Sequence, residues 1–397
     1  MELYLQMGHG MKELSRKMIL DWGKGNVILS PVNMKQDKLV VFSKAIQSVG
    51  GDVLFDPQMF FPKEGNEKLK EYDYWPKAGV TLPSDMDMSI INRELLRINI
   101  LIGSKAIITP SVETEETKLN RTISIMNDSV NYFHSKTDKE VYATLCLCSE
   151  TIRNNQTIED LVDALRNVPA EGYYIVPHPA NNEYIIADPL WMIGMMKLLT
   201  CLKLAKKKVI VGYSSHQGLI YALAHVDGIA SGSWMNTRSF MPGKFKPKDD
   251  DIKHKSTWYY LPSAMSEYKA TFLDIAMQRG FLSIFEPQGN FSNRYSEMLF
   301  KGELPSTTSY NETNSFMHYL YCLNNQCKML TQDSYENAYT SYELMLNCAE
   351  ARIKDLKKYG MVGQNRDFSP AIECLRIAMC ANDLDYGLKL RLEWHNL

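Results

Sequence analysis

Short apolar runs ending in Pro, Ser, Gly or an acid alternate along this chain with longer stretches whose apolar residues recur at helical spacing. The runs are NVILSP (26–31), DVLFDPQ (52–58), KAIITPS (105–111), VYATLCLCSE (141–150), GYYIVPHP (172–179), KVIVGYSS (208–215), DGIASGS (227–233) and TWYYLPS (257–263). They are apolar without alternation, as strands buried on both faces of a parallel sheet must be. Helical text such as TIEDLVDALRNV and PLWMIGMMKLLTCLKLA stands between most of them. Eight such units predict an α/β fold, a TIM-type (β/α)8 barrel. An open doubly wound sheet is the alternative, because the basic, proline-bearing stretch 241–255 stands where the helix between the seventh and eighth runs is due. From about residue 290 the text turns to polar loop and then helices. We therefore expect a barrel over 1–290 and a helical C-terminal appendage over 291–397, packed on the barrel to bury faces that carry Phe316, Tyr319, Leu320 and Leu323.

Composition narrows the partners. Across 397 residues, 44 Lys and Arg face 46 Asp and Glu, a net charge of −2, so no global field draws the chain to nucleic acid. The start, MELYLQMGHGMKEL, meets charged residues before an apolar signal core can form, and no run of about 18 apolar residues occurs, which predicts neither export nor a membrane span. Eight cysteines spread thinly along the chain read as reduced thiols in a cytoplasmic protein. No metal is expected: Cys146-x-Cys148 lacks a second ligand pair, and Cys322, Cys327 and Cys348 sit in apolar helical text. No Walker-type or G-x-G-x-x-G sequence is present, so no nucleotide cofactor is expected either.

In a parallel barrel the chemistry sits at the carboxyl ends of the strands. Those ends carry Ser30, Asp56, Gln58, Ser111, Glu113, Cys148, Glu150, His178, Ser215, His216, Ser231, Ser233 with, further on, Arg238, and Ser263. Asp56 and Glu150, on different strands, are the candidate catalytic carboxylates, since burial of one and hydrogen bonding of the other would separate their pKa values. Each could instead cap the helix that follows. Gln58, His178, Ser215, His216, Ser231, Ser233 and Arg238 are the candidate substrate contacts; either histidine could equally be a satisfied structural residue. The basic residues of KFKPK (244–248) follow the seventh run, so they stand at the active end and could touch phosphates, while Asp249, Asp250 and Asp251 just after them fit a solvated loop instead.

VILSPVNM, DVLFDPQMFF and KVIVGYSSHQGLIYALAHVDGIASGSWMNTRSF together resemble the barrel of the queuine tRNA-ribosyltransferase (tRNA-guanine transglycosylase) family. That family has an early P-V-G-T strand, a D-S-G-G-F-Q strand end and a late G-[VI]-D-x-F-D-x-x-x-P-T-R segment. The stretch HYLYCLNNQCKMLTQDSYENAYTSYELMLNCAEARI is similar to its helix pair after the zinc loop. The likeness spans 26–62 and 208–355 in pieces. It implies a pocket for a 7-deazaguanine-type base or modified nucleoside, with Asp56 as the purine-contacting aspartate. The position of the nucleophilic aspartate falls on Ala230, Ser231 and Gly232, and the zinc signature is absent, so ordinary base exchange is in question.

Relatives of this kind act in tRNA or DNA deazaguanine modification, and some stand in antiphage operons. The resemblance thus implies either a nucleobase enzyme or a non-catalytic binding protein with a partner from the same operon. A homodimer fits both. An unrelated barrel enzyme, such as an aldolase or hydrolase, is the third reading, though no strand run ends in a lysine for it to use.

Overall fold

The computed structural model describes residues 1–62, 67–76, 88–246 and 256–397. Its main sheet comprises β1 (Glu2–Gln6), β2 (Gly25–Leu29), β3 (Gly51–Phe55), β4 (Ile107–Ile108), β5 (Glu113–Thr114), β6 (Val141–Leu147), β7 (Gly172–Pro177), β8 (Lys208–Val211) and β9 (Gly228–Ser231). The strand order is β3-β2-β1-β9-β8-β7-β6-β4, every pairing is parallel, and the two-residue β5 extends the ladder beside β6. The backbone N–H of Lys105, just ahead of β4, donates to the carbonyl of Val53 in β3 at 2.9 Å. That bond joins the two ends of the order, and the sheet is a TIM-type (β/α)8 barrel with helices between its strands.

Two strand assignments change. The run at 2–6, absent from the eight expected strands, is β1 and lies between β2 and β9. The run at 257–263 is not a barrel strand: Trp258–Leu261 (β10) pairs antiparallel with Ser266–Lys269 (β11) in a separate hairpin. Of the basic stretch 241–255, a short 3-10 turn over Pro242–Lys244 is described, and residues 247–255 lie outside the described residues.

Tyrosines fill the barrel interior against glycines. A Cβ on Gly228 would stand 2.5 Å from the ring of Tyr4, and one on Gly212 would stand 2.5 Å from the hydroxyl of Tyr174. Only glycine leaves room for these rings. The helices Glu312–Met329, Tyr335–Lys358 and Ser369–Glu393 pack on the barrel and the hairpin. His318 stacks on Tyr259 at 4.9 Å, and its Nε2 lies 2.7 Å from the carbonyl oxygen of Tyr260. Thr200, on the helix Pro189–Leu204, donates to Asn382. Among the described residues, no helix is long and apolar enough to cross a membrane.

One helix contact sets a stability test. Gly194 lies so close to the carbonyl of Ile152 that an added Cβ would come within 1.9 Å of its oxygen. Backbone meets backbone there, so relief requires the helix to shift. Gly194→Ala is expected to destabilise the fold by about 1–3 kcal/mol net, despite the roughly 1 kcal/mol gained from helix propensity. Urea denaturation of the two proteins measures it.

Candidate functional site at the barrel mouth

Asp56 follows β3 and continues its ladder, its N–H donating to the carbonyl of Leu29 at 3.1 Å. The chain then turns sharply. Gln58 takes a left-handed backbone (φ 55°), which lets its N–H donate back to Asp56 Oδ1 at 3.0 Å. Tyr74 Oη fixes the turn by donating to the Pro57 carbonyl. The side chain of Gln58 is held at both its atoms: its Oε1 accepts from Ser30 Oγ and from the Val32 N–H, and its Nε2 donates to Tyr213 Oη. Gln58 thus positions Tyr213.

The carboxylate of Asp56 is completely buried. Tyr213 donates to its Oδ2 at 2.9 Å, and the hydroxyl of Tyr174 lies 3.3 Å from the same oxygen and 3.0 Å from Gln6 Oε1. Burial pushes the Asp56 carboxyl up to about 6, against the bonds from Tyr213, the Gln58 N–H and Tyr174 and the charge of Lys244. Oδ1 receives only the Gln58 N–H among the described residues, so a lone pair remains for a ligand donor.

Lys244 is the cation of this mouth. Its stem is partly exposed, but Nζ is buried and has no hydrogen-bond partner among the described residues. It lies 5.7 Å from the ring centres of both Tyr213 and Phe245. Burial pushes its amine down to about 8, and Asp56 is the charge that opposes this. Over these groups lies a lid of rings from the loops after β3 and β9. Phe60 meets Phe240 and Phe245 edge-on at 5.2 and 5.1 Å, and Phe240 stacks on Phe245 at 5.4 Å.

His178 stands at the rim, half-buried. Its Nδ1 lies 3.1 Å from Glu113 Oε1 and its Nε2 lies 3.0 Å from Asn182 Oδ1. Burial opposes charge on the ring, but the bonds to Glu113 and Asn182 outweigh it and raise the pKa. Glu113, rather than Glu150, is therefore the carboxylate paired with a histidine. Glu150 is exposed in the first turn of the helix Ser149–Arg153 and is not among the groups that set the charge of Asp56.

Several expected substrate contacts face elsewhere. Arg238 is committed to a buried ion cluster: it pairs with Glu267 at 3.1 Å, Arg366 pairs with the same carboxylate at 2.7 Å, and Tyr184 donates to it. The Arg238 guanidinium also lies 3.4 Å over the ring of Tyr319. His216 is a core residue packed among Tyr260, Phe368 and Tyr319, and burial pushes it down to about 4. Ser215 caps the 3-10 helix His216–Ala224 by accepting from the Gln217 N–H. Ser231 ends β9 and is buried beside Tyr319, and Ser233 is buried with its N–H 3.3 Å from Met11 Sδ. All these lie at the expected end of the barrel, but Arg238 and His216 point toward the C-terminal helices.

Sequence reasoning missed Tyr174, Tyr213 and the phenylalanine lid. Tyr174 and Tyr213 stood inside strand runs it had marked, so their place near the mouth was available. Lys244 was placed at this end of the barrel as part of KFKPK, but as a phosphate contact or a solvated residue and not as a buried amine. Among the described residues, no three His, Cys, Asp or Glu side chains are grouped to hold a metal.

No family model matches the chain, and no curated protein matches it in sequence. Among solved structures, it is similar to the 3-dehydroquinate dehydratase of Aquifex aeolicus VF5, at 13% identity and a TM-score of 0.34, over 62% of this chain and 94% of that one.

Proposed function

We propose that the barrel mouth recognises a flat, hydrogen-bond-donating base of the 7-deazaguanine type, free or within a nucleoside, on a transglycosylase-like barrel. The observation that carries this is the buried Asp56 carboxylate beneath the rings of Tyr213, Phe240 and Phe245. An acceptor at the floor and aromatic walls above it suit a planar ring with N–H groups on its edge. A glycosyl-aspartate step has no support. β9 ends in Ala230 and Ser231, and Asp227 precedes the strand at the opposite end of the barrel, where it accepts from Lys203 and from the Val209 N–H. The protein therefore binds a base, with no exchange through a β9 carboxylate.

Calorimetry with 7-cyano- and 7-aminomethyl-7-deazaguanine tests this. Asp56→Asn sets an amide donor against a ligand donor, and binding is expected to weaken by roughly 2–4 kcal/mol, about 30- to 1,000-fold. Ser231→Ala should change affinity little. A wild type that binds neither base, or an Asp56→Asn protein that binds as well as wild type, would overturn the reading. The second reading, an unrelated barrel enzyme, now has the amine that the strand ends lacked, in Lys244.

A further inference from the structure

We infer that Lys244 is the second polar contact of this pocket and binds a ring carbonyl next to the N–H that Asp56 accepts, so that the mouth selects the –CO–NH– edge of a lactam ring. This rests on the base-recognition reading above and adds to it the edge of the base that is recognised.

An ammonium buried without an acceptor is costly to hold, and chains rarely keep one unless something supplies the missing acceptor. Lys244 Nζ has no hydrogen-bond partner among the described residues. Its charged neighbour is Asp56, with which it forms no direct ion pair but whose charge it feels. A buried cation and a buried anion that do not pair directly can be bridged by a neutral ligand that offers an acceptor to one and a donor to the other. A lactam does this with two adjacent atoms, C=O and N–H, and guanine-type rings carry that edge. The rings of Tyr213 and Phe245, each 5.7 Å from Nζ, would lie against the face of such a ligand.

The other buried cation near this end is already taken. Arg238 is paired with Glu267 and stacked on Tyr319. Lys246 is drawn to the ring of Phe61 at 4.9 Å. An adenine-type ring would place an amino group where the lactam has its carbonyl, setting donor against donor at Lys244.

The test is calorimetry with 7-cyano-7-deazaguanine and with 7-deazaadenine, on wild type, Lys244→Met and Lys244→Arg. Wild type should prefer the lactam. Lys244→Met should weaken lactam binding by about 10- to 100-fold, the usual effect of a charge-assisted hydrogen bond, and should lose most of the preference over 7-deazaadenine. Lys244→Arg, which keeps a cationic donor, should recover part of both.

A structural role for Lys244 would not move the pH profile. Among the described residues, the titrating groups that face its amine are Asp56 at the end of β3 and Tyr213 after β8, and burial lifts the Tyr213 phenol well above the usual range. Lactam affinity in wild type should then be highest between about 6, where Asp56 ionises, and about 8, where Lys244 loses its proton. Lys244→Met should remove the alkaline limb and keep the acid one. If wild type binds the lactam and Asp56→Asn does not, while Lys244→Met binds with unchanged affinity and an unchanged alkaline limb, the assignment of Lys244 is wrong and the pocket stands. If wild type binds neither ring, both fall together.

Discussion

Glu267→Ala is expected to be the most damaging single substitution outside the apolar core. The Glu267 carboxylate is 3% exposed and holds two guanidinium groups, Arg238 from the barrel and Arg366 from the segment before the last helix. It stands on β11, so one side chain ties the barrel, the hairpin and the C-terminal helices. Without it two cations remain buried with no anion between them, which costs about 3–5 kcal/mol. Burial would raise the Glu267 pKa, but Arg366 and then Arg238 outweigh it and hold the carboxyl at about 2, against an ordinary 4.5.

A depressed acid contributes stability that is present above its unfolded pKa and is lost as pH falls through the folded one. Over the window from about 4.5 down to about 2 the wild type should lose about 3 kcal/mol from this group. The Ala variant has nothing to lose there. Urea denaturation should find the two proteins far apart at pH 7 and nearly equal near pH 2. Curves separated by the same amount at both pH values would show that the ion cluster is not what Glu267 contributes.

Strand-forming text was legible where a run was apolar throughout, because burial on both faces leaves no alternation to confuse. VYATLCL and GYYIVP became β6 and β7. β1 was missed since it begins with exposed Glu2 and ends with Gln6, a polar residue buried toward Tyr174 inside the barrel. Nothing local marks such a glutamine as interior. TWYYLPS deceived for the opposite reason: an aromatic run closed by proline looks the same whether its neighbour is parallel or, as here, the antiparallel Ser266–Lys269.

The strand-end rule was a good guide to which end of the barrel a residue occupies and a poor guide to which way it faces. Asp56 and Gln58 turn inward because the left-handed backbone at Gln58 folds its N–H onto the carboxylate. His216 and Arg238 turn outward because the C-terminal helices supply Tyr319, Phe368 and Arg366 to receive them or share their carboxylate. Those partners lie about eighty residues or more away along the chain, beyond any local pattern. Lys244 was read as a phosphate contact at the active end or a solvated loop residue, as charge runs usually are, and only the packing of Phe245 and Tyr213 around its amine separates it from its basic neighbours.

Asp56→Asn should make the folded protein more stable at neutral and alkaline pH. Burial raises the Asp56 carboxyl from an ordinary 3.8 to about 6, so the folded state favours the protonated acid. A raised acid contributes stability that is fully present below its unfolded pKa and is lost as pH rises through the folded one. Wild-type stability should therefore fall by about 3 kcal/mol from this group as pH climbs from about 4 to about 6, and stay lower beyond it.

An amide is neutral throughout. Its oxygen can accept from Tyr213 and Tyr174, which turns Nδ2 to the Oδ1 side that faces a ligand and leaves the Gln58 N–H without its acceptor. The variant should show no such fall, and at pH 8 it should exceed wild type by about 1–2 kcal/mol in urea denaturation, the roughly 3 kcal/mol that the acid loses less about 1–2 for the unpaired Gln58 N–H. The same substitution removes the acceptor that a base would use, so stability and affinity should move in opposite directions, as they do where a buried charge is kept for binding. A purely structural carboxylate would behave otherwise. An Asn protein that is less stable than wild type at every pH, with the wild-type slope between pH 4 and 6 intact, would place Asp56 among the groups that hold the barrel together and leave its mouth without a recognition residue.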